Sequence, residues 1–177
     1  MSTFDFTSPL YVLAGTIYGE ARGCGRAAME NVAACVLNRV GANWDRGGVI
    51  GVCLAPWQFS SWNESDPNRQ AILNAAVAAF PPAEWPTAMA VASSALAGQC
   101  PNRIGGADSY FAATMKAPPY WAKYPAIQTY SDGWHKFWRT RASSIGAPSA
   151  PAVSTHALPT TTDELNAAEI GQIKGDA

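Results

Sequence analysis

Thr16-Ile17-Tyr18-Gly19-Glu20-Ala21-Arg22-Gly23 places one carboxylate near the end of an otherwise apolar run. Reading backwards, Ser8 suits an N-cap and Pro9 the first helical position. Leu10, Leu13, Ala14, Ile17 and Ala21 recur at helical spacing and define a buried stripe. Glu20 falls on the flank of that stripe rather than on the opposite, solvated face. A carboxyl group that loses hydration there is expected to hold its proton more tightly, which suits a general acid. Glycine is costly inside a helix, so Gly15 and Gly19 signal that something approaches the backbone closely. Gly23 and Gly25 read as the helix stop.

Outward from this helix, Met29, Val32, Ala33, Val36 and Val40 predict a second helix over residues 26–40. Residues 44–62 are aromatic-rich and read as irregular. Asp66-Pro67 opens a helix expected over residues 68–80, stopped by Pro81-Pro82. A fourth helix is expected over residues 86–97. Beyond Cys100 the pattern changes. Residues 107–114 read as a strand, and residues 126–130 and 134–138 flank Asp132-Gly133 as a hairpin. The plan is α+β, mostly helical with a small C-terminal antiparallel sheet. Residues 1–141 make the expected domain. Residues 142–177, rich in Ala, Pro, Ser and Thr, read as an extension, with a short amphipathic helix over residues 162–174.

The chain has 177 residues, 14% of them charged, and a formal net charge of −1, which argues against a polyanion-binding protein. Seven Trp, six Tyr and six Phe are a high aromatic load for this size; aromatics beyond core needs often line carbohydrate or peptide clefts, although core packing is the commoner use. The N-terminus lacks the basic, apolar pattern of a signal peptide, so synthesis in the host cytoplasm is expected. No stretch has the length of a membrane span. Cys24, Cys35, Cys53 and Cys100 are scattered without C-x-x-C spacing, so no zinc site, no other metal and no cofactor is expected. Their default state is reduced.

The E-A-R-G element at residues 20–23 is followed by L-N-R-V at 37–40 and Q-F-S at 58–60. Ser109-Tyr110-Phe111 and Gly133-Trp134-His135-Lys136-Phe137 come late in the chain. In this order and spacing, residues 10–138 resemble the cell-wall hydrolase family of the spore-cortex-lytic enzymes and many bacteriophage lysins. The family often carries an acid just after E-A-R-G, where this chain has Cys24. The resemblance implies a lysozyme-like, lytic-transglycosylase-like domain acting on the β-1,4 bond between N-acetylmuramic acid and N-acetylglucosamine in peptidoglycan. Its single catalytic glutamate falls on Glu20.

Cleavage of a glycosidic bond needs a proton for the leaving oxygen, and ordinary glycosidases need a second carboxylate besides. Asp45, Glu64, Asp66, Asp108 and Asp132 are the candidates, and none stands out. One convincing carboxylate favours the lytic reaction, in which the muramic acid's own C6 hydroxyl attacks. Gln58 and Ser60 can bond sugar hydroxyls or N-acetyl groups. Phe59 and Trp62 either stack on sugars or pack in the core. Tyr110 either offers a polar handle or packs inward, and His135 either faces the cleft or is structural. Asn38 and Arg39 are expected to anchor backbone or loop groups.

The expected partner is bacterial peptidoglycan, in the periplasm or wall, without nucleic acid or membrane. The 142–177 extension is read as an anchor toward virion or tail proteins. Two other classes compete. One is a Cys/His peptidase or amidase using His135; the other is a non-catalytic wall-binding or virion module.

Overall fold

The computed structural model describes residues 3–44 and 47–140. The proposed extension at 142–177, its helix at 162–174 and the candidate Asp45 lie outside the described residues. Five helices precede a three-stranded antiparallel sheet: α1 (Pro9–Ala21), α2 (Arg26–Gly41), α3 (Gly48–Leu54), α4 (Pro67–Val77), α5 (Glu84–Leu96), β1 (Ser109–Ala112), β2 (Ile127–Ser131) and β3 (His135–Arg139). A single 3-10 turn, Ser60–Trp62, lies between α3 and α4. None of the described helices is long and apolar enough to cross a membrane.

Helix α1 begins as expected. The Ser8 hydroxyl accepts from the Tyr11 amide, with Pro9 in the first turn. It is not a one-faced helix, however. Residues 9–10 and 12–18 are all buried, and α1 touches α2, α3, α4, α5 and the 3-10 turn. A helix apolar on every side becomes the centre of the molecule. Glu20 is therefore where the central helix emerges, not the border of a surface stripe.

Two boundaries move for backbone reasons. Pro81 and Pro82 lack the N–H groups that residues 77 and 78 would need as donors, so α4 ends at Val77 and Phe80 is exposed. Helix α3 is absent from the sequence reading because Gly47-Gly48 looks like a loop. Its apolar residues Val49, Val52 and Cys53 are nonetheless buried against α1 and α2.

The hairpin is present, with Asp132 Oδ1 accepting from the Trp134 and His135 amides across the turn. β3 lies in the middle, in the order β1-β3-β2, with Tyr110 opposite Phe137 and Ala112 opposite His135. Helix α2 joins the sheet to the helical body. Met29, Val32, Ala33 and Val36 face the helical core, whereas Ala34 and Cys35 pack with Ile104, Ala107 and Phe137. Its polar residues finish the seam: Asn31 donates to Asp132 Oδ2 at 3.0 Å, and Asn38 donates to the Ala107 carbonyl at 2.7 Å.

Candidate active site

Glu20 is half-buried at the end of α1, and two distant segments converge on its carboxylate. The Ser61 hydroxyl donates to Oε1 at 2.8 Å, and the Tyr110 hydroxyl donates to Oε2 at 3.0 Å. Burial, then the neighbouring Glu20, push the Tyr110 phenol well above its usual range, so it stays a neutral hydroxyl.

The glycines of α1 explain how Ser61 comes so close. A Cβ at Gly19 would lie 2.6 Å from the Ser61 Cβ, and a Cβ at Gly15 would lie 2.8 Å from the Trp62 ring. Spaced by one turn, Gly15 and Gly19 open a shallow groove on α1 that seats the 3-10 turn. The Trp62 indole N–H donates to Thr16 Oγ1 at 2.9 Å and locks the turn in place.

Arg39 ties together the two segments that reach Glu20. Its Nε donates to the Asp108 carbonyl, just before Tyr110, and its Nη1 reaches Gln58 Oε1 at 3.5 Å, just before Ser61. The guanidinium also stacks on the Trp44 and Phe59 rings, 4.7 and 4.8 Å from their centroids. The L-N-R-V element thus fixes the distance between the two walls of the site.

The sequence candidates separate into three groups. Glu20 and Tyr110 meet directly. Gln58 and Ser60 are exposed on the segment leading into the turn. Phe59, Trp62 and His135 depart from the reading in which they touch sugar. Phe59 is 3% exposed under Arg39, and Trp62 packs on Gly15, Phe4 and Phe6. His135 is 7% exposed; its ring lies edge-on to Tyr110, with Nδ1 3.5 Å from Asp132 Oδ2. The rings of Phe59 and His135 are used inside the fold, and Trp62 is partly buried against the core.

Sequence reasoning missed Ser61, which is fully buried. Nothing in its neighbourhood separates it from Ser60. The only trace is Gly19, which announced a close approach without naming the partner.

Asp66, Asp108, Asp132 and Glu30 have structural duties, and Glu64 has none among the described residues. Asp66 caps α4 by accepting from the Asn68 amide. Asp108 is buried and accepts from the Thr140 amide and hydroxyl. Burial alone would raise the Asp132 carboxyl, but donors from Asn31, His135 and Trp134 hold it below the usual range. Glu30 pairs with Arg26 and Arg103. Glu64 is exposed.

The four cysteines are unpaired. Burial pushes the Cys35 and Cys100 thiols up to about 11 and the Cys53 thiol up to about 12. Burial, with Asp132, also raises Cys24. A thiol raised in this way is a poor nucleophile, which weighs against the cysteine peptidase.

Residues 23–138 match the family model described as Cell Wall Hydrolase. Among solved structures, the chain is similar to the catalytic domain of the Bacillus cereus SleB protein. The TM-score is 0.55 at 26% identity, over 73% of this chain and 88% of that one. The catalytic domain of the germination-specific lytic transglycosylase SleB from Bacillus anthracis gives a TM-score of 0.54 at 26% identity, over 73% and 92%. No curated protein matches. The family match begins at Gly23, so Glu20 lies just outside it.

Proposed function

The chain belongs to the cell wall hydrolase family, and on that premise we propose that it cleaves the β-1,4 bond between N-acetylmuramic acid and N-acetylglucosamine in bacterial peptidoglycan. Glu20 is its catalytic carboxyl group. The observation that carries this reading is the convergence of Ser61 and Tyr110 on the two oxygens of Glu20. A hydroxyl donates to a carboxylate and accepts from a carboxylic acid, so both partners hold the group in either protonation state. Only a hydroxyl rotation accompanies the loss or return of the proton, so the group can do both with the site in place.

In the lytic reaction Glu20 gives its proton to the leaving oxygen as the glycosidic bond breaks and positive charge grows on the anomeric carbon. The muramic acid's C6 hydroxyl then attacks that carbon, and its proton returns to Glu20. The products are a 1,6-anhydro end and a free N-acetylglucosamine hydroxyl. Asp66, Asp108, Asp132 and Glu30 are engaged in the fold, which leaves the exposed Glu64 among the described candidates for the second carboxylate that hydrolysis calls for; the lytic route needs none. The likeness to a lytic transglycosylase domain supports it too.

Purified peptidoglycan suspensions test the assignment. The wild type should clear them and release muropeptides one water lighter than the unreduced hydrolysis products, with ends that resist borohydride reduction. Glu20→Gln should clear them about 10²–10⁴-fold more slowly, with an unchanged melting temperature. Equal clearing by both proteins would move the chemistry to another residue.

The same reading makes the protein a lysin of phage origin, with the 142–177 extension docked on virion proteins. The support is its resemblance to phage lysins and the composition of the extension. Protease protection of the extension in assembled particles, but not in the free protein, is the expected result.

A further inference from the structure

Between α3 and the 3-10 turn the chain reverses over Ala55-Pro56-Trp57-Gln58, closed by the Gln58 amide donating to the Ala55 carbonyl at 3.2 Å. Proline at the second place and a positive φ at the third are the marks of a type II turn. The third place ordinarily belongs to glycine or asparagine. Here Trp57 occupies it at φ 66°. A bulky side chain is disfavoured in that conformation by its own Cβ.

Trp57 is also 85% exposed. An indole gains as much from burial as any side chain, and the nearby Phe59 takes that course. Position 57 therefore combines a strained backbone with an unburied ring. Strained residues of this kind gather where a ligand is gripped.

The turn is close to the chemistry. Gln58 is reached by Arg39, and Ser61 bonds Glu20. Four residues of chain cannot span more than about 14 Å, so Trp57 lies within that distance of Ser61.

We propose that Trp57 is a stacking platform for the glycan strand, holding a sugar ring to one side of the bond that is cleaved. Its flat face suits the C–H face of a pyranose, and its indole N–H can donate to a hydroxyl or an N-acetyl oxygen. The left-handed turn is what projects the ring outward instead of into the core. This inference rests on the peptidoglycan reading and assigns a specificity-determining residue within it.

Binding measured without cleavage separates the two claims. In a Glu20→Gln background, the protein is co-sedimented with purified peptidoglycan, with and without Trp57→Asn. Asparagine tolerates the positive φ, so the turn keeps its shape and the variant should melt no lower than its parent. The expected result is about tenfold weaker binding for Trp57→Asn and near-parental binding for Trp57→Tyr, which keeps an aromatic face. In the active background, Trp57→Asn should raise KM for peptidoglycan more than it lowers kcat. Binding within twofold of the parent, with the wild type still clearing peptidoglycan, would overturn the platform and leave the function standing. Trp57-dependent binding by a wild type that clears nothing would keep the platform and overturn the enzyme.

Discussion

Replacing Gly19 by alanine tests whether the close seat of the 3-10 turn on α1 assembles the site. The new Cβ would lie 2.6 Å from the Ser61 Cβ, 2.8 Å from its Oγ and 2.9 Å from the Ile72 Cδ1. Comfortable carbon contacts begin near 3.5 Å, so Ser61 must retreat by about 1 Å. Two effects on stability then oppose each other. Alanine favours the helix over glycine by about 1 kcal/mol. Overpacking a filled site costs about 1–3 kcal/mol. The net loss is about 0–2 kcal/mol, a fall in melting temperature of at most several degrees. Activity should fall much further, because a misplacement of about 1 Å can cost on the order of 10²-fold in rate.

The assay pairs thermal melting with the initial rate of muropeptide release. A companion variant, Gly19→Ala with Ser61→Gly, deletes the two Ser61 atoms that clash and leaves only the movable end of the Ile72 side chain to shift. It should recover the melting temperature but not the rate, because the hydrogen bond to Glu20 is gone. Full activity in Gly19→Ala at unchanged stability would refute the reasoning and make Ser61 incidental.

Further outcomes concern charge and sulfur. Asp132 has its carboxyl lowered on folding, so the stability it contributes is present above its unfolded value of about 4 and is lost as pH falls through the lower folded value. Asp132→Asn should therefore melt below the wild type at neutral pH, and the gap should close on acidification toward pH 3. A gap that is constant with pH would mean that hydrogen-bond geometry, not charge, matters there. Iodoacetamide should leave peptidoglycan clearing intact in the folded protein, with Cys35 and Cys53 unmodified by mass spectrometry, since both are buried and their thiols are raised. Inactivation in step with alkylation would restore the cysteine peptidase.

Much of the site can be read from residues a few positions apart. The Ser8 cap, the Asp66-Pro67 start and the Asp132-Gly133 turn are local chemistry, and each is where the sequence puts it. The helix over residues 9–21 and its sole acid, Glu20, are legible too, but the spacing shows one buried stripe, and packing on every side is what made it the innermost helix. The L-N-R-V element signals anchoring residues, and Asn38 and Arg39 do anchor backbone carbonyls.

Which residue meets which was decided by packing. Ser61 and Tyr110 reach Glu20 across 41 and 90 residues of chain. No periodicity or turn preference reports separations of that length. Phe59 and Trp62 illustrate the same limit: an aromatic in a loop has one chemistry whether it stacks on a sugar or on a guanidinium. The sequence by itself determined that a carboxylate would leave the core at the end of a glycine-notched helix, because capping, helix periodicity and the cost of glycine act within a few turns. Only the tertiary structure decided what closes around that carboxylate, because a 3-10 turn and a strand are brought together there by the docking of α2 against two cores at once.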